Sequence, residues 1–161
     1  MQSDKEELKI EAEESVVPRI VNSVHDNTLT LGMDNERINS KKPINYYLKV
    51  KNINMLEVSG VSNVVIRDEL VTEQFNLLIN GSAKVDIKIN AKKFSTVISG
   101  TGNVMALGNA KEQNIEINGT GKFLGRELSG KTAEVNLNGF GDAEVNVSDK
   151  LEINAFGTGN T

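Results

Sequence analysis

The chain has 161 residues, a formal net charge of −4, 14 glycines, two prolines and neither cysteine nor tryptophan. Without cysteine there is no disulfide and no thiolate metal site. The acidic balance works against nonspecific nucleic-acid binding, which needs clustered Lys and Arg, and no apolar run approaches the ~20 residues of a membrane-spanning helix.

Met1 to Glu7 is polar and holds no signal-peptide apolar core. That start fits a cytosolic protein, or a mature or trimmed chain. Glu7 to Ala12 alternates and reads as a strand. Ser15 to Val21 contains Pro18, which suits the first turn of a helix, so one helical turn is expected there. Val21 to Val24 and Thr28 to Leu31 form a hairpin around His25-Asp26-Asn27, because Asp and Asn tolerate the positive φ of a tight turn. Asp34 to Pro43 is a polar loop. Tyr46 to Val50 is a strand with Tyr46, Leu48 and Val50 on one face. The whole chain, 1–161, reads as a single β-helix domain. Residues 1–50 are its less regular N-terminal coils with a hairpin, and 51–161 its regular part.

From Met55 onward a phrase returns: apolar, x, apolar, Ser or Asn, Gly. Its glycines are Gly60, Gly81, Gly100, Gly119 and Gly139, spaced 21, 19, 19 and 20 residues apart. A sixth copy, Leu151-Glu152-Ile153-Asn154, puts Ala155 at the glycine position. Apolar pairs precede each glycine, from Leu56/Val58 and Leu77/Ile79 to Leu151/Ile153. Others follow it, from Val64/Ile66 and Val85/Ile87 to Ala143/Val145. A third inward point falls at Leu70, Ile89, Ala110, Leu128 and Val147. Strand alternation at a fixed period of this size predicts a parallel β-helix with coils of about 20 residues. One coil cannot bury its inner face alone, and stacking turns like residues into columns. Glycine marks a sharp corner that calls for its backbone freedom. The Ser or Asn before it is expected to bond a nearby backbone amide.

Val58-Ser59-Gly60-Val61-Ser62-Asn63-Val64, Ile98-Ser99-Gly100-Thr101-Gly102-Asn103-Val104 and Leu137-Asn138-Gly139-Phe140-Gly141-Asp142-Ala143 resemble the recurring phrase of the head GIN domain family. That family is labelled putative auto-transporter adhesin and is common in Bacteroidetes. Val16 to Ile20 and Asn27 to Leu31 resemble the family's start, so the resemblance spans nearly the whole chain. It implies a right-handed parallel β-helix of unknown function, exported to the periplasm or cell surface. It implies no enzyme activity, cofactor or metal, and supplies no catalytic residue. Two departures are Ala155 at the glycine position and a chain that ends part-way through a coil. Family members also start with an export signal and an earlier strand. Both are missing here, which suggests a fragment or trimmed chain.

Chemistry-bearing arrangements are sparse. A calcium column would need Asp in every turn, whereas the positions equivalent to Asp142 are Asn63, Lys84, Asn103 and Lys122. Asp86 and Glu144 share an outward column but lie three coils apart, roughly 14 Å by strand spacing, too far for a glycosidase pair. His25 is the only histidine and reads as an exposed turn residue. Gly119 to Gly125 lacks the ending of a phosphate loop. Two surface columns remain as a possible interaction surface. Arg67, Lys88 and Arg126, seven residues after their glycines, put cations on one face that would suit an acidic glycan. Phe140 and Phe156, one residue after the glycine position, form an apolar patch near the open C-terminal end, where self-association is expected. The expected role is a non-enzymatic cell-envelope scaffold or binding module. Its partner would be a protein or glycan at the cell surface, with no nucleic acid and no membrane span. The alternative is a glycan-binding or carbohydrate-active solenoid.

Overall fold

The computed structural model describes residues 4–34, 40 and 42–160. The chain divides into two compact units, Lys5–Lys49 and a second that contains Val50–Thr161.

In the first unit, β1 (Glu7–Glu11) pairs antiparallel with β4 (Asn45–Lys49), from Glu7 opposite Lys49 to Glu11 opposite Asn45. Charged side chains clasp the outer face of this ribbon. Lys49 Nζ lies 2.7 Å from Glu7 Oε2, and Lys9 Nζ lies 2.6 Å from Glu11 Oε1 and 5.5 Å from the Tyr47 ring centroid. Lys49 holds the Glu7 carboxyl below its ordinary range, and Lys9 with the Tyr47 hydroxyl does the same for Glu11. Pro18 sits in a single 3-10 turn, Val17–Arg19, as its fixed φ allows. Then β2 (Ile20–His25) and β3 (Thr28–Met33) form the expected hairpin. Asp26 and Asn27 make its two-residue turn at φ 46° and 59°, the left-handed pair that matches strand twist. Both strand pairs of this unit are antiparallel. Residues 35–39 and 41 of the predicted polar loop lie outside the described residues.

The second unit is a parallel β-solenoid of about five turns, with about 19 residues per turn. Its strands are β5 (Met55–Val58), β6 (Val61–Ile79), β7 (Ser82–Ile98), β8 (Thr101–Ile117), β9 (Lys122–Leu137) and β10 (Asp142–Ala155). They pair in sequence order, each with the next. Each coil therefore pairs along most of its length, so backbone groups find partners one coil away. Val58, Ile79, Ile98, Ile117 and Leu137 stand in one inward file, and all five are buried. Leu56, Leu77, Thr96, Ile115, Val135 and Ile153 form the neighbouring file. Val64, Val85, Val104, Phe123 and Ala143 form a third on the far side of the corner.

The corner glycines are set by close approach. The Ser82 amide donates to the Gly60 carbonyl at 2.8 Å and the Thr101 amide to the Gly81 carbonyl at 3.0 Å. A Cβ on Gly81, Gly100 or Gly119 would sit 2.2 Å from the carbonyl oxygen of the glycine one coil earlier. Only Gly60 among them has a positive φ, +107°. The residue before the glycine bonds differently from the expected amide cap. Asn138 Nδ2 donates to Asn118 Oδ1 at 2.8 Å, and Asn80 Nδ2 to Glu57 Oε1 at 3.0 Å, so these side chains link coils to one another.

Three expectations need correction. The sixth copy is Ala155-Phe156-Gly157-Thr158-Gly159: Ala155 pairs with Leu137, and Gly157 stacks on Gly139. The last coil is two residues shorter than the one before, so counting a fixed period misplaces its glycine. At the third inward point Ile89 pairs with Gly108, and Ala110 with Ala91. Gly108 has φ +113°, and a Cβ there would lie 2.2 Å from the Ile89 carbonyl oxygen. Finally, the core also draws on residues outside the repeat phrase, Phe75 and Phe94. Phe75 and Phe94 pair in register and stack with ring centroids 6.1 Å apart, and Phe123 reaches Phe94 from another file at 6.2 Å. Gln113 follows them in the Phe75/Phe94 file, buried, with Nε2 donating to the Leu128 carbonyl at 3.1 Å.

Candidate functional surface

The solenoid turns its apolar side chains inward, so function has to be sought on its outer columns and its ends. The outward file Val65, Asp86, Met105, Leu124, Glu144 stands as the sequence indicated. Asp86 and Glu144 are therefore separated by two intervening coils. His25 is exposed in the hairpin turn, with Nδ1 2.9 Å from the neighbouring Asp26 carboxylate.

Arg67, Lys88 and Arg126 gather at the second corner of the solenoid but not in a single file. Between Ile66 and Leu70, three residues including Arg67 stand against Lys88 alone. Lys88 itself pairs with Leu107, whereas Leu107 faces Glu127, because one extra residue beside Arg126 shifts the register. Each insertion bulges outward, and that is what broke the seven-residue count. Carboxylates accompany the cations. Lys88 Nζ lies 3.6 Å from Glu69, and Arg126 reaches Glu144 at 3.3 Å. Arg67 is exposed, with no ion pair among the described residues. The corner thus carries mixed charge rather than a cationic stripe.

Phe140 and Phe156 are 74% and 83% exposed. They are not in one column. Phe140 follows Gly139, in the file of Thr101 and Thr120, whose hydroxyls lie 3.2 Å apart. Phe156 precedes Gly157, and its amide bonds the Leu137 carbonyl at 2.8 Å as the Asn138 amide bonds that of Ile117. The two rings therefore flank the same glycine corner from opposite sides, on successive coils. In the Phe140 file the ring follows Ser82, Thr101 and Thr120, with apolar Val61 at the first coil, and in the Phe156 file it follows Ser or Asn throughout.

In β10 the burial pattern changes. Leu151 and Ile153 point inward but remain 47% and 41% exposed, while Ala133 and Val135 beside them are buried. Together with Val145 they line a cavity of about 520 Å³ that also touches Lys122, Asp142 and Glu144. Lys122 Nζ lies 2.7 Å from Asp142 Oδ2, which raises the lysine and lowers the aspartate from their ordinary pKa values. The amide of Asn160 also donates to Asp142 Oδ1 at 3.1 Å, which favours the charged carboxylate further.

The family model described as putative auto-transporter adhesin, head GIN domain, matches residues 1–161. Among solved structures, the chain is similar to a putative adhesin from Bacteroides fragilis at 22% identity and a TM-score of 0.82, covering 99% of this chain and 84% of that one. It is also similar to a putative lipid binding protein from Parabacteroides distasonis at 14% identity and a TM-score of 0.56, covering 99% and 86%. At these identities the two structures bear on the fold alone. No curated protein matches the sequence.

Proposed function

As the chain belongs to the head GIN domain family of putative auto-transporter adhesins, we propose that it is a non-enzymatic binding scaffold of the cell envelope, acting at the periplasm or cell surface. One observation carries this reading: Phe140 and Phe156 stand exposed at one corner of a stack whose coils are fixed by continuous backbone pairing. Aromatic rings held on a rigid support contribute contact area with little ordering cost, which favours recognition of a partner surface. The outer ionisable groups engage one another across and along coils, as in Lys84 with Asp86 and Lys122 with Asp142. That arrangement suits solvation and register.

Beads coated with the native chain should attach to isolated cell envelopes, and the Phe140→Ser/Phe156→Ser variant should attach at least tenfold less. Equal attachment by both rejects the aromatic corner as the contact. Protease treatment of intact cells should remove the protein if it is displayed outside.

A second reading, glycan recognition, rests on Arg67, the exposed cation of the second corner that has no ion pair among the described residues. A glycan array separates the two. Binding to acidic glycans that disappears on changing Arg67 to Ala supports recognition of sugars. An empty array leaves the aromatic contact as the working surface.

A further inference from the structure

The glycine corner repeats a chemically reactive dipeptide. Asn80-Gly81, Asn118-Gly119 and Asn138-Gly139 are the Asn-Gly pairs of the chain, and all three asparagines are exposed. The side-chain Cγ of an asparagine is open to attack by the backbone nitrogen of the next residue, and glycine there has no Cβ to obstruct the ring that forms. That nitrogen has to be free of other bonds. At the corner it is. The Asn118 amide donates to the Ile98 carbonyl and the Thr120 amide to that of Gly100, while the Gly119 amide between them has no hydrogen-bond partner among the described residues. Gly81 and Gly139 stand likewise between bonded amides, those of Asn80 and Ser82 and of Asn138 and Phe140.

Side-chain bonding separates the three asparagines. Asn118 Nδ2 donates to Glu116 Oε1 at 2.7 Å. A carboxylate only accepts, so this bond fixes the amide with Oδ1 turned to the next coil. There Oδ1 accepts from Asn138 Nδ2 at 2.8 Å. A donor on that oxygen stabilises the negative charge that builds on it when a nucleophile adds to Cγ. Asn80 has a carboxylate, Glu57, 3.0 Å from its Nδ2 but no donor on Oδ1 among the described residues. Asn138 has none on Oδ1 either, because its file continues as Phe156 in the following coil.

We infer that Asn118 is a self-modification site, converted by deamidation through a cyclic imide. The Gly119 nitrogen gives up its proton and bonds to Asn118 Cγ. The Cγ–Nδ2 bond breaks, and Nδ2 leaves as ammonia, taking up one proton in exchange for the one lost. Water then opens the ring at one of its two carbonyls. The product is an ordinary aspartate or an isoaspartyl link, in which the main chain runs through Cβ and Cγ. Both products lose the donor to Glu116 and set a second carboxylate beside it. The isoaspartyl link also adds a carbon to the backbone, just where the Gly119 carbonyl accepts from the Phe140 amide at 3.0 Å. Modification therefore disturbs the seat of Phe140.

The full chain is incubated in mildly alkaline buffer, and peptide mapping by mass spectrometry follows each asparagine separately. Asn118 should convert about fivefold faster than Asn80 or Asn138, the worth of one hydrogen bond. Asn138→Ala removes the donor and should slow Asn118 about fivefold. A loosened coil would speed conversion, so damage to the fold does not imitate this result. Asn80, whose side chain bonds Glu57 and not Asn138, should keep its rate in the variant. Hydrogen exchange at the Phe140 amide should be faster in molecules carrying the isoaspartyl link than in Asn118→Asp, which supplies the charge without the added carbon. Conversion of Asn80 or Asn138 ahead of Asn118 would mean that the two bonds protect the amide, and would overturn the proposal. So would an unchanged Asn118 rate in Asn138→Ala. Equal exchange at Phe140 in the two products would overturn the disturbance of its seat.

Discussion

At the scale of single residues, the solenoid is governed by two kinds of tight contact. The first is between corner glycines. Gly119→Ala would place Cβ 2.2 Å from the Gly100 carbonyl oxygen, an acceptor fixed by its own bond to the Thr120 amide. Neither backbone can yield without breaking pairing, so a loss of about 3 kcal/mol is expected in urea unfolding. Gly32→Ala meets nothing within 4 Å and should change stability by less than about 0.5 kcal/mol. The second contact is aromatic. Phe94 is fully buried between Phe75 and Phe123, and Phe94→Ala should cost about 4 kcal/mol. The inward files were legible because strand alternation and a glycine landmark recur together. Phe75 and Phe94 escaped notice although each lies six residues before its corner glycine. Their file continues as Gln113, Ala133 and Leu151, so no repeated residue type advertises it.

At the scale of elements, β10 and the segment after it are where electrostatics matters most. Asp142 receives Lys122 on one side and the Asn160 backbone and side-chain amides on the other. Its folded pKa is lowered, by Lys122 first and Asn160 next. Such a group adds stability that is present above its unfolded pKa and disappears as pH falls through the folded value. Acidification below about pH 4 should therefore loosen residues 156–160 first. Hydrogen exchange at the Phe156 and Thr158 amides should speed up there before that at Thr101 or Thr120. In Asp142→Asn this acid step should be absent. The element scale is also where sequence reading went astray. Counting from glycine assumes coils of equal length, but β6 carries two extra residues between Ile66 and Leu70, β9 carries one, and the β10 coil is shorter. A slip of this kind moved Phe156 into the wrong column and dispersed the cation file. The antiparallel ribbons of residues 5–49 were only half legible. The hairpin announced itself through Asp26-Asn27, whereas the pairing of β1 with β4 joins segments more than thirty residues apart and leaves no local trace.

At the scale of the whole molecule, the solenoid is a one-dimensional stack in which each coil is stabilised mainly by its neighbours. Ile98 is covered on both sides, by Ile79 and Ile117, and Ile98→Ala should lower global stability by about 3 kcal/mol. Ile153→Ala, on the open end, should cost less than about 1 kcal/mol. Its effect should appear chiefly as faster amide exchange in β10, with the unfolding midpoint nearly unmoved. If both substitutions shifted the midpoint equally, the stack would be behaving as one indivisible block. The surface was less readable than the fold because exposed columns obey no packing rule. The sequence named Phe140, Phe156 and the three cations as candidates, while the half-exposure of Leu151 and Ile153 in β10 is read from burial.

Length changes spare the glycine corner of this stack, which keeps strict register. One residue is added where Ser148 and Asp149 stand against Lys131, and the insertions at Arg67-Asp68-Glu69 and beside Arg126, with the contraction between Glu144 and Asn146, fall at the second corner. That vertex is a natural graft site. A guest peptide spliced between Asp68 and Glu69 would hang outside the wall, at a closure cost that grows by only about 0.6 kcal/mol per doubling of its length. Several grafts on successive turns would be held in a row like pennants along a mast, spaced by the repeat of the sheet itself.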